Sequence, residues 1–316
     1  MRISAMRGRQ QGRTLIELMV AIALGLLILL GVGTLYLSSN QTTRSATNVA
    51  TAENVGQVAL TLIGNSIRRS GYSEIIGTEY SGLAVNMLYQ GPTLRACRNS
   101  RFVGDDPNAG CGPTAANAPD SIGIWFQADN ALAAAQGATD DCVGTAPGNT
   151  AVTNANYLPR VANIRVVQNS FHIDNNNLRC RGGADTQPLL TGVEDLKVYF
   201  GFDDFGYANP ALIDTIPIAR SVRDASFING LAAPSPLFSP WDYVVSITVC
   251  VLVRTEEQGV SAQGATVTYQ QCPQTAAEAA NTGVGPTVTA ADGRVRRAFT
   301  QTFSIRSRTK PSPLEG

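Results

Sequence analysis

The chain has 316 residues, is 44% hydrophobic, and carries 24 basic and 24 acidic residues for a formal net charge of zero. That length accommodates an anchor segment plus one large or two small globular units. The balanced charge gives no sign of the basic surface that nucleic-acid binding needs, and a single histidine without any Cys-x-x-Cys pair argues against the common zinc frameworks.

The first predicted element is a membrane helix over about 14–37. From Thr14 to Leu37 the chain is almost wholly apolar, interrupted by Glu17, glycines, Thr34 and Tyr36. A helix crosses a bilayer with about 20 residues at about 1.5 Å each. Arg2, Arg7, Arg9 and Arg13 precede it without an acidic residue, a flank that holds the N-terminus in the cytoplasm. A secretory signal fits less well, because the apolar run exceeds the usual core of roughly 7–15 residues and no small-residue cleavage site follows. Glu17 is out of place. A carboxylate inside an apolar span costs roughly 2.5–3.5 kcal/mol on insertion scales, so it has a partner, a role, or a reach to the interface.

The helix is expected to continue to about residue 70. Ala46, Val49, Ala52, Gly56, Ala59, Ile63 and Ile67 recur at steps of three or four, with polar residues between them and no proline. Arg68, Arg69 and Gly71 supply a basic last turn and a glycine stop. A continuous helix from 13 to 69 would run roughly 85 Å; the alternative is a separate stalk helix after a break within Ser38–Ser45.

From Gly71 onward glycine, proline, asparagine and aspartate become frequent and apolar runs shorten. Strands are predicted at Leu83–Leu88, Ser121–Gln127, Ala162–Gln168, Val193–Phe202, Tyr243–Val253, Ala265–Tyr269 and Arg297–Ile305. Tyr243–Val253 is apolar at nearly every position and reads as a central strand. Arg297–Ile305 alternates and reads as half-buried. Thr93–Asp120, Asp129–Leu158 and the proline-rich Asp203–Pro240 lack strand signal and read as loops; the tail from Lys310 reads as mobile. The expected fold class is α+β: a long N-terminal helix, membrane-embedded in its first half, packed on an antiparallel β-sheet head with long, disulfide-pinned loops.

Cys97, Cys111, Cys142, Cys180, Cys250 and Cys272 all follow the membrane segment. An even set on the side opposite the basic flank reads as disulfides in an oxidising compartment. Many connectivities are open; pairing neighbours in sequence gives Cys97–Cys111, Cys142–Cys180 and Cys250–Cys272.

Catalytic signatures are absent. His172 has no nucleophile elbow to serve, and there is no phosphate-binding loop or His-Glu-x-x-His. Oxygen-rich turns occur at Asp105–Asp106, Asp140–Asp141, Asp174–Asn177 and Asp203–Asp204, but none keeps calcium-loop spacing. No metal or cofactor is assigned; Asp203 and Asp204 are the weak candidates for a hard cation. Glu194 and Asp195, in a Val-Glu-Asp-Leu stretch, read equally well as a solvated acidic turn.

Gly12-Arg13-Thr14-Leu15-Ile16-Glu17-Leu18-Met19-Val20, behind a short basic leader and ahead of a long apolar run, resembles the class III signal of type IV prepilins and type II secretion pseudopilins. The resemblance implies a leader over 1–12, cleavage by a prepilin peptidase between Gly12 and Arg13, and N-methylation at Arg13, where the family often has phenylalanine. Cleavage would remove three arginines from 24 basic against 24 acidic residues, leaving a formal charge of −3. Glu17 would become the fifth mature residue, which in this family pairs with the N-terminal amine of a neighbouring subunit. Pairing a buried acid with a buried ammonium also sets a register between helices.

Segments of the head, from Asp120–Phe126, Gly192–Gly201, Trp241–Thr255 and Arg296–Arg308, resemble PilW-type minor pilins, a group similar to pseudopilin J. The implied organisation is leader 1–12, pilin helix 13–70 and head 71–316. The implied function is a non-enzymatic minor pilin that primes type IV pilus assembly near the tip. Its implied partners are other minor pilins, the major pilin, a PilY-type tip adhesin and the prepilin peptidase. It would sit in the inner membrane with its head in the periplasm, then at the cell surface in a pilus serving twitching motility, cell adhesion or DNA uptake, a choice one subunit's sequence leaves open. The alternatives are a type II secretion pseudopilin and, from another class, a membrane-tethered periplasmic enzyme or binding protein.

Overall fold

The computed structural model describes residues 14–73, 89, 91–128, 141–147, 149–151, 163–183, 185–209, 217–234, 239–256 and 266–305. The leader with its Gly12–Arg13 junction, the strand expected over Leu83–Leu88, most of Asp129–Leu158 and the tail lie outside them. The chain divides into two units, 1–47 and 48–316.

Helix α1 (Leu15–Arg69) is uninterrupted, so there is no break at Ser38–Ser45. Within the hydroxyl-rich stretch the side chains bond back along the helix rather than out of it: Thr42, Thr43 and Thr47 donate to the carbonyls of Ser38, Ser39 and Thr43 at 2.9–3.0 Å. The helix ends as its glycine signals. Gly71 takes a left-handed φ of 69°, and its N–H leaves the helix to donate to Trp125 O at 2.8 Å. Within the second unit Ala52, Gly56, Ala59, Leu60, Ile63, Gly64 and Ile67 are buried. The expected stripe began earlier; Ala46 is exposed and Val49 half-buried, so coverage starts at Ala52.

The described strands are antiparallel. The first sheet contains β1 (Leu94–Cys97), β2 (Ser121–Gln127), β3 (Asn149–Ala151), β4 (Asn163–Asp174), β5 (Asn177–Gly182) and β6 (Asp185–Thr191), ordered β1-β2-β4-β5-β6 with β3 also on β4. The second begins with β7 (Val193–Phe202), β8 (Ser221–Arg223) and β9 (Val244–Arg254). A ribbon of β10 (Val267–Gln270) and β11 (Thr287–Ala290) follows. Strand β12 (Arg296–Ser304) then returns to β9, giving the order β12-β9-β7-β8. β9 is therefore internal, as its apolar run predicts. Its alternation sorts two faces: Ile247, Val249, Val251 and Val253 enter the main core, whereas Cys250 and Leu252 join Cys272, Tyr269 and Ala298 on the other side.

Several expected loops contain strands. β1 lies at the start of Thr93–Asp120 and β3 within Asp129–Leu158; four and three residues are too short to show a period. β5 and β6 escape detection because Arg179, Arg181, Asp185 and Pro188 dilute their apolar pattern. Asn175 and Asn176, at φ 50° and 59°, form the tight link from β4 to β5. Asp203–Pro240 carries β8 and two one-turn helices, α2 (Asp204–Ala208) and α3 (Ala225–Asn229). A further short helix, α4 (Ala276–Asn281), follows β10.

The helix and second sheet meet through two glycines. Phe299 and Phe303, four apart on one face of β12, lie over Gly56 and Gly64, eight apart on α1. Four strand residues advance about 13 Å and eight helical residues about 12 Å, so the two spacings match. Arg297 forms an ion pair with Glu53, and Arg68 stacks over Phe303 at 5.3 Å. Toward its end α1 also reaches the first sheet, where Asn169 donates to Ser66 Oγ at 3.1 Å and Ser70 to Thr93 O at 2.9 Å.

Disulfides join Cys97 to Cys111, Cys142 to Cys180 and Cys250 to Cys272, with Cα separations of 5.5, 6.2 and 5.7 Å. The first closes the loop after β1, the second ties residue 142 to β5, and the third pins the segment after β10 to β9.

Candidate assembly surface

The first half of α1 has no cover of its own. Its large apolar side chains from Leu15 to Leu37 are more than half exposed, Leu15 reaching 76%. An apolar surface of this extent is stable only against lipid or other chains. Its length and composition are those of a helix able to cross a membrane.

Thr14 opens the helix. Its side-chain oxygen accepts from Glu17 N–H at 3.4 Å and its carbonyl from the same N–H at 3.1 Å. Thr14-Leu15-Ile16-Glu17 thus has the spacing of a capping box, a start signal available in the sequence beside the apolar run. Glu17 stands three residues into the helix, exposed, where a carboxylate meets the positive end of the helix dipole. Gly12 and Arg13 lie outside the described residues.

The head holds a buried charge cluster between its sheets. Asp120, 1% exposed, accepts from Arg98 Nη1 at 2.9 Å, Asn99 N–H at 2.8 Å and Val198 N–H at 3.0 Å. Arg98 also donates to Tyr199 Oη at 3.0 Å and to Gln274 O, and Tyr199 donates to Pro273 O at 2.6 Å. Beside them Lys197, fully buried on β7, faces Asn99, Asp120 and Asp195. The cluster binds the loop after β1 and the entry to β2 to β7 and to the segment after Cys272.

Glu194 and Asp195 are not a solvated turn. They lie at a bulge in β7, where Glu194 pairs with Arg254 at 3.1 Å and Arg296 at 2.6 Å. The Asp195 side chain is largely buried, and burial pushes its pKa up to about 6 despite Lys197 at 3.8 Å. A raised folded-state pKa for an acid means that stability is full below the ordinary carboxylate value and is lost as pH rises through about 6. Between about pH 4 and pH 6.5 this loss is at most about 3 kcal/mol. Thermal unfolding across that range should show a smaller decline in Asp195→Asn than in the parent chain; an unchanged slope would assign the decline to other groups.

The other sequence candidates serve as caps and ion pairs. Asp203 accepts from Gly206 N–H at 3.1 Å and lies 3.4 Å from Arg220; Asp204 pairs with Arg223 at 3.1 Å. Asp141 accepts from Val143 and Thr145 N–H, Asp106 caps Asn108, and Asp174 pairs with Arg101 and Arg179. Among the described residues no group of three or more His, Cys, Asp or Glu is placed to hold a metal ion. His172 lies near the end of β4, just before the Asn175–Asn176 turn. It is buried with Nε2 3.5 Å from Asp105, and burial lowers its pKa.

Two family models match the chain. Residues 163–307 match the PilW family, type IV pilus-assembly protein W, and residues 7–33 match the prokaryotic N-terminal methylation motif. No curated protein matches. Among solved structures the chain is similar to a type IV-like pilin from Thermus thermophilus, at 14% identity and a TM-score of 0.36 over 82% of this chain and 97% of that one, a likeness too low to bear on the fold. The methylation motif stands at the start of the exposed apolar helix, and the PilW match runs from β4 through β12. The two matches together support a type IV pilus minor pilin similar to the PilW family.

Proposed function

We propose that this chain is a type IV pilus minor pilin that primes pilus assembly and takes a place at or near the tip, beside other minor pilins, the major pilin and a PilY-type adhesin. The observation that carries the reading is the exposed apolar surface from Leu15 to Leu37 on an unbroken helix. In the inner membrane lipid covers that surface; in the filament neighbouring helices do. The area removed from water is similar in both, so transfer between them has a small driving force and is decided by packing and polar contacts.

The polar contact is Glu17. A prepilin peptidase cuts between Gly12 and Arg13 on the cytoplasmic side and methylates Arg13. The new cationic terminus then stands at the positive end of its own helix dipole, where a positive charge is disfavoured. The carboxylate of Glu17 on an adjacent subunit relieves that charge and loses its own desolvation penalty in the apolar layer. The head, disulfide-bonded in the periplasm, then reaches the cell surface with the filament.

Intact-mass measurement and N-terminal sequencing of membrane-extracted protein, with and without the peptidase, test the reading. The expected result is an N-methylated terminus at Arg13 that requires the peptidase. A chain beginning at Met1 under both conditions would remove the proposal.

A further inference from the structure

Lys197 is a buried amine held against a carboxamide. Its Nζ donates to Asn99 Oδ1 at 2.8 Å and to Ala118 O at 2.6 Å. Two carboxylate oxygens flank it, Asp195 Oδ1 at 3.8 Å and Asp120 Oδ1 at 3.9 Å. The lysine side chain has no solvent exposure. Asn99 is fixed from its own side: it holds a left-handed φ of 48°, its N–H donates to Asp120, and Cys97 two residues earlier is tied to Cys111. The fold thus brings a nucleophilic amine, an acyl carbon and carboxylates together from positions 98 residues apart.

We propose that Lys197 and Asn99 join in an intramolecular isopeptide bond. The bond formed is Lys197 Nζ to Asn99 Cγ, and the bond broken is Asn99 Cγ to Nδ2. Asp195 takes one proton from the ammonium, which frees the lone pair for attack. A second Nζ proton passes to Nδ2, which leaves as ammonia; the third stays on the new amide. Asp195 ends protonated, so the cluster loses one cation and one anion and its net charge is unchanged. No redox partner or co-reactant is required.

The two carboxylates divide the work. Asp120 is held by Arg98 and by the N–H groups of Asn99 and Val198, and so fixes Asn99. Asp195 accepts from Leu196 N–H at 2.9 Å. Burial pushes its pKa up to about 6 and pulls that of Lys197 down, the directions that let a proton pass between them near neutrality. Holding amine and carboxamide in hydrogen-bond contact replaces a bimolecular encounter with a unimolecular one, and exclusion of water protects the product from hydrolysis. The bond would tie the loop after β1, in the first sheet, covalently to β7 in the second.

The full chain, purified in detergent with its disulfides reduced, tests this by intact mass and peptide mapping. The expected mass falls below that of the processed sequence by one ammonia, and the peptides holding Asn99 and Lys197 are recovered as one branched species. Lys197→Met and Asn99→Ala should each abolish the ammonia loss and release separate peptides. A parent chain of full mass with the two peptides separate would overturn the proposal. So would an ammonia deficit with the peptides still separate, which would mark a succinimide at Asn99. The parent chain alone gives these readings if either variant fails to fold.

Discussion

Asp120→Ala is expected to destabilise the head by about 3–5 kcal/mol, a large share of the roughly 5–15 kcal/mol that holds a typical domain folded. The carboxylate is 1% exposed and satisfies three donors, Arg98 Nη1 and the N–H groups of Asn99 and Val198. Alanine leaves Arg98, whose side chain is 8% exposed, with neutral partners at Tyr199 Oη and Gln274 O. Each backbone N–H left without an acceptor adds about 1–3 kcal/mol where water cannot enter. These losses overlap, which is why their sum exceeds the expected total. Asp120→Asn should fall between the parent and Asp120→Ala, because the amide oxygen still accepts from one backbone group but no longer neutralises Arg98.

Denaturant unfolding checks this, with the double variant Arg98→Met/Asp120→Leu as the informative partner. Removing both charges replaces a desolvated ion pair with apolar volume, so the double variant should recover part of the loss from Asp120→Ala. A single-variant loss below about 1 kcal/mol would mean that water reaches Arg98 and that the cluster behaves like a surface pair.

The parts of the fold that can be read from sequence are those where one local signal dominates. Ser121–Gln127 and Val193–Phe202 have the bounds expected of them, because each carries a run of β-formers, Ile122–Phe126 and Val198–Phe202, bounded by turn residues. Helix α1 is legible through its apolar period and Gly71. The hairpin of β5 and β6 is hidden because one face is half-exposed and charged; its core contribution is Leu178 and Cys180, too few to outweigh two arginines. The charge cluster is hidden for a different reason. Arg98, Asp120, Lys197 and Tyr199 are ordinary alone, and only the approach of β2 to β7, through Asp120 N–H to Leu196 O, brings them together. Lys197, followed by the apolar run Val198–Phe202 in the same strand, is the available flag, since a charge on a buried strand needs partners. On the assembly helix Glu17 is legible as an anomaly, whereas its spacing from Thr14 is masked by the stronger apolar signal around it.

Gly64→Ala is expected to destabilise the head by about 1–3 kcal/mol, although glycine to alanine in a helix normally contributes about 1 kcal/mol of stability. The opposing term is geometric. A Cβ at residue 64 would stand 2.5 Å from Phe303 Cζ and closer still to Cε1, and Phe303 is 3% exposed, so the ring must move as a body inside a packed core. A Cβ at residue 56 would meet Phe299 Cε2 at 2.5 Å, but Phe299 is only half-buried and has room to turn outward. Gly56→Ala should therefore cost less. In the first unit a methyl at Gly25, Gly31 or Gly33 would have nothing within 4 Å, so alanine there should leave head stability unchanged. The decisive measurement is a double-mutant cycle by thermal or denaturant unfolding. Phe303→Leu loses core contacts but vacates the space over residue 64, so Gly64→Ala in that background should recover its propensity gain and show coupling of at least about 1 kcal/mol. Additive effects would mean that Phe303 can leave residue 64 without loss, and that the glycine is not what lets β12 close against the helix.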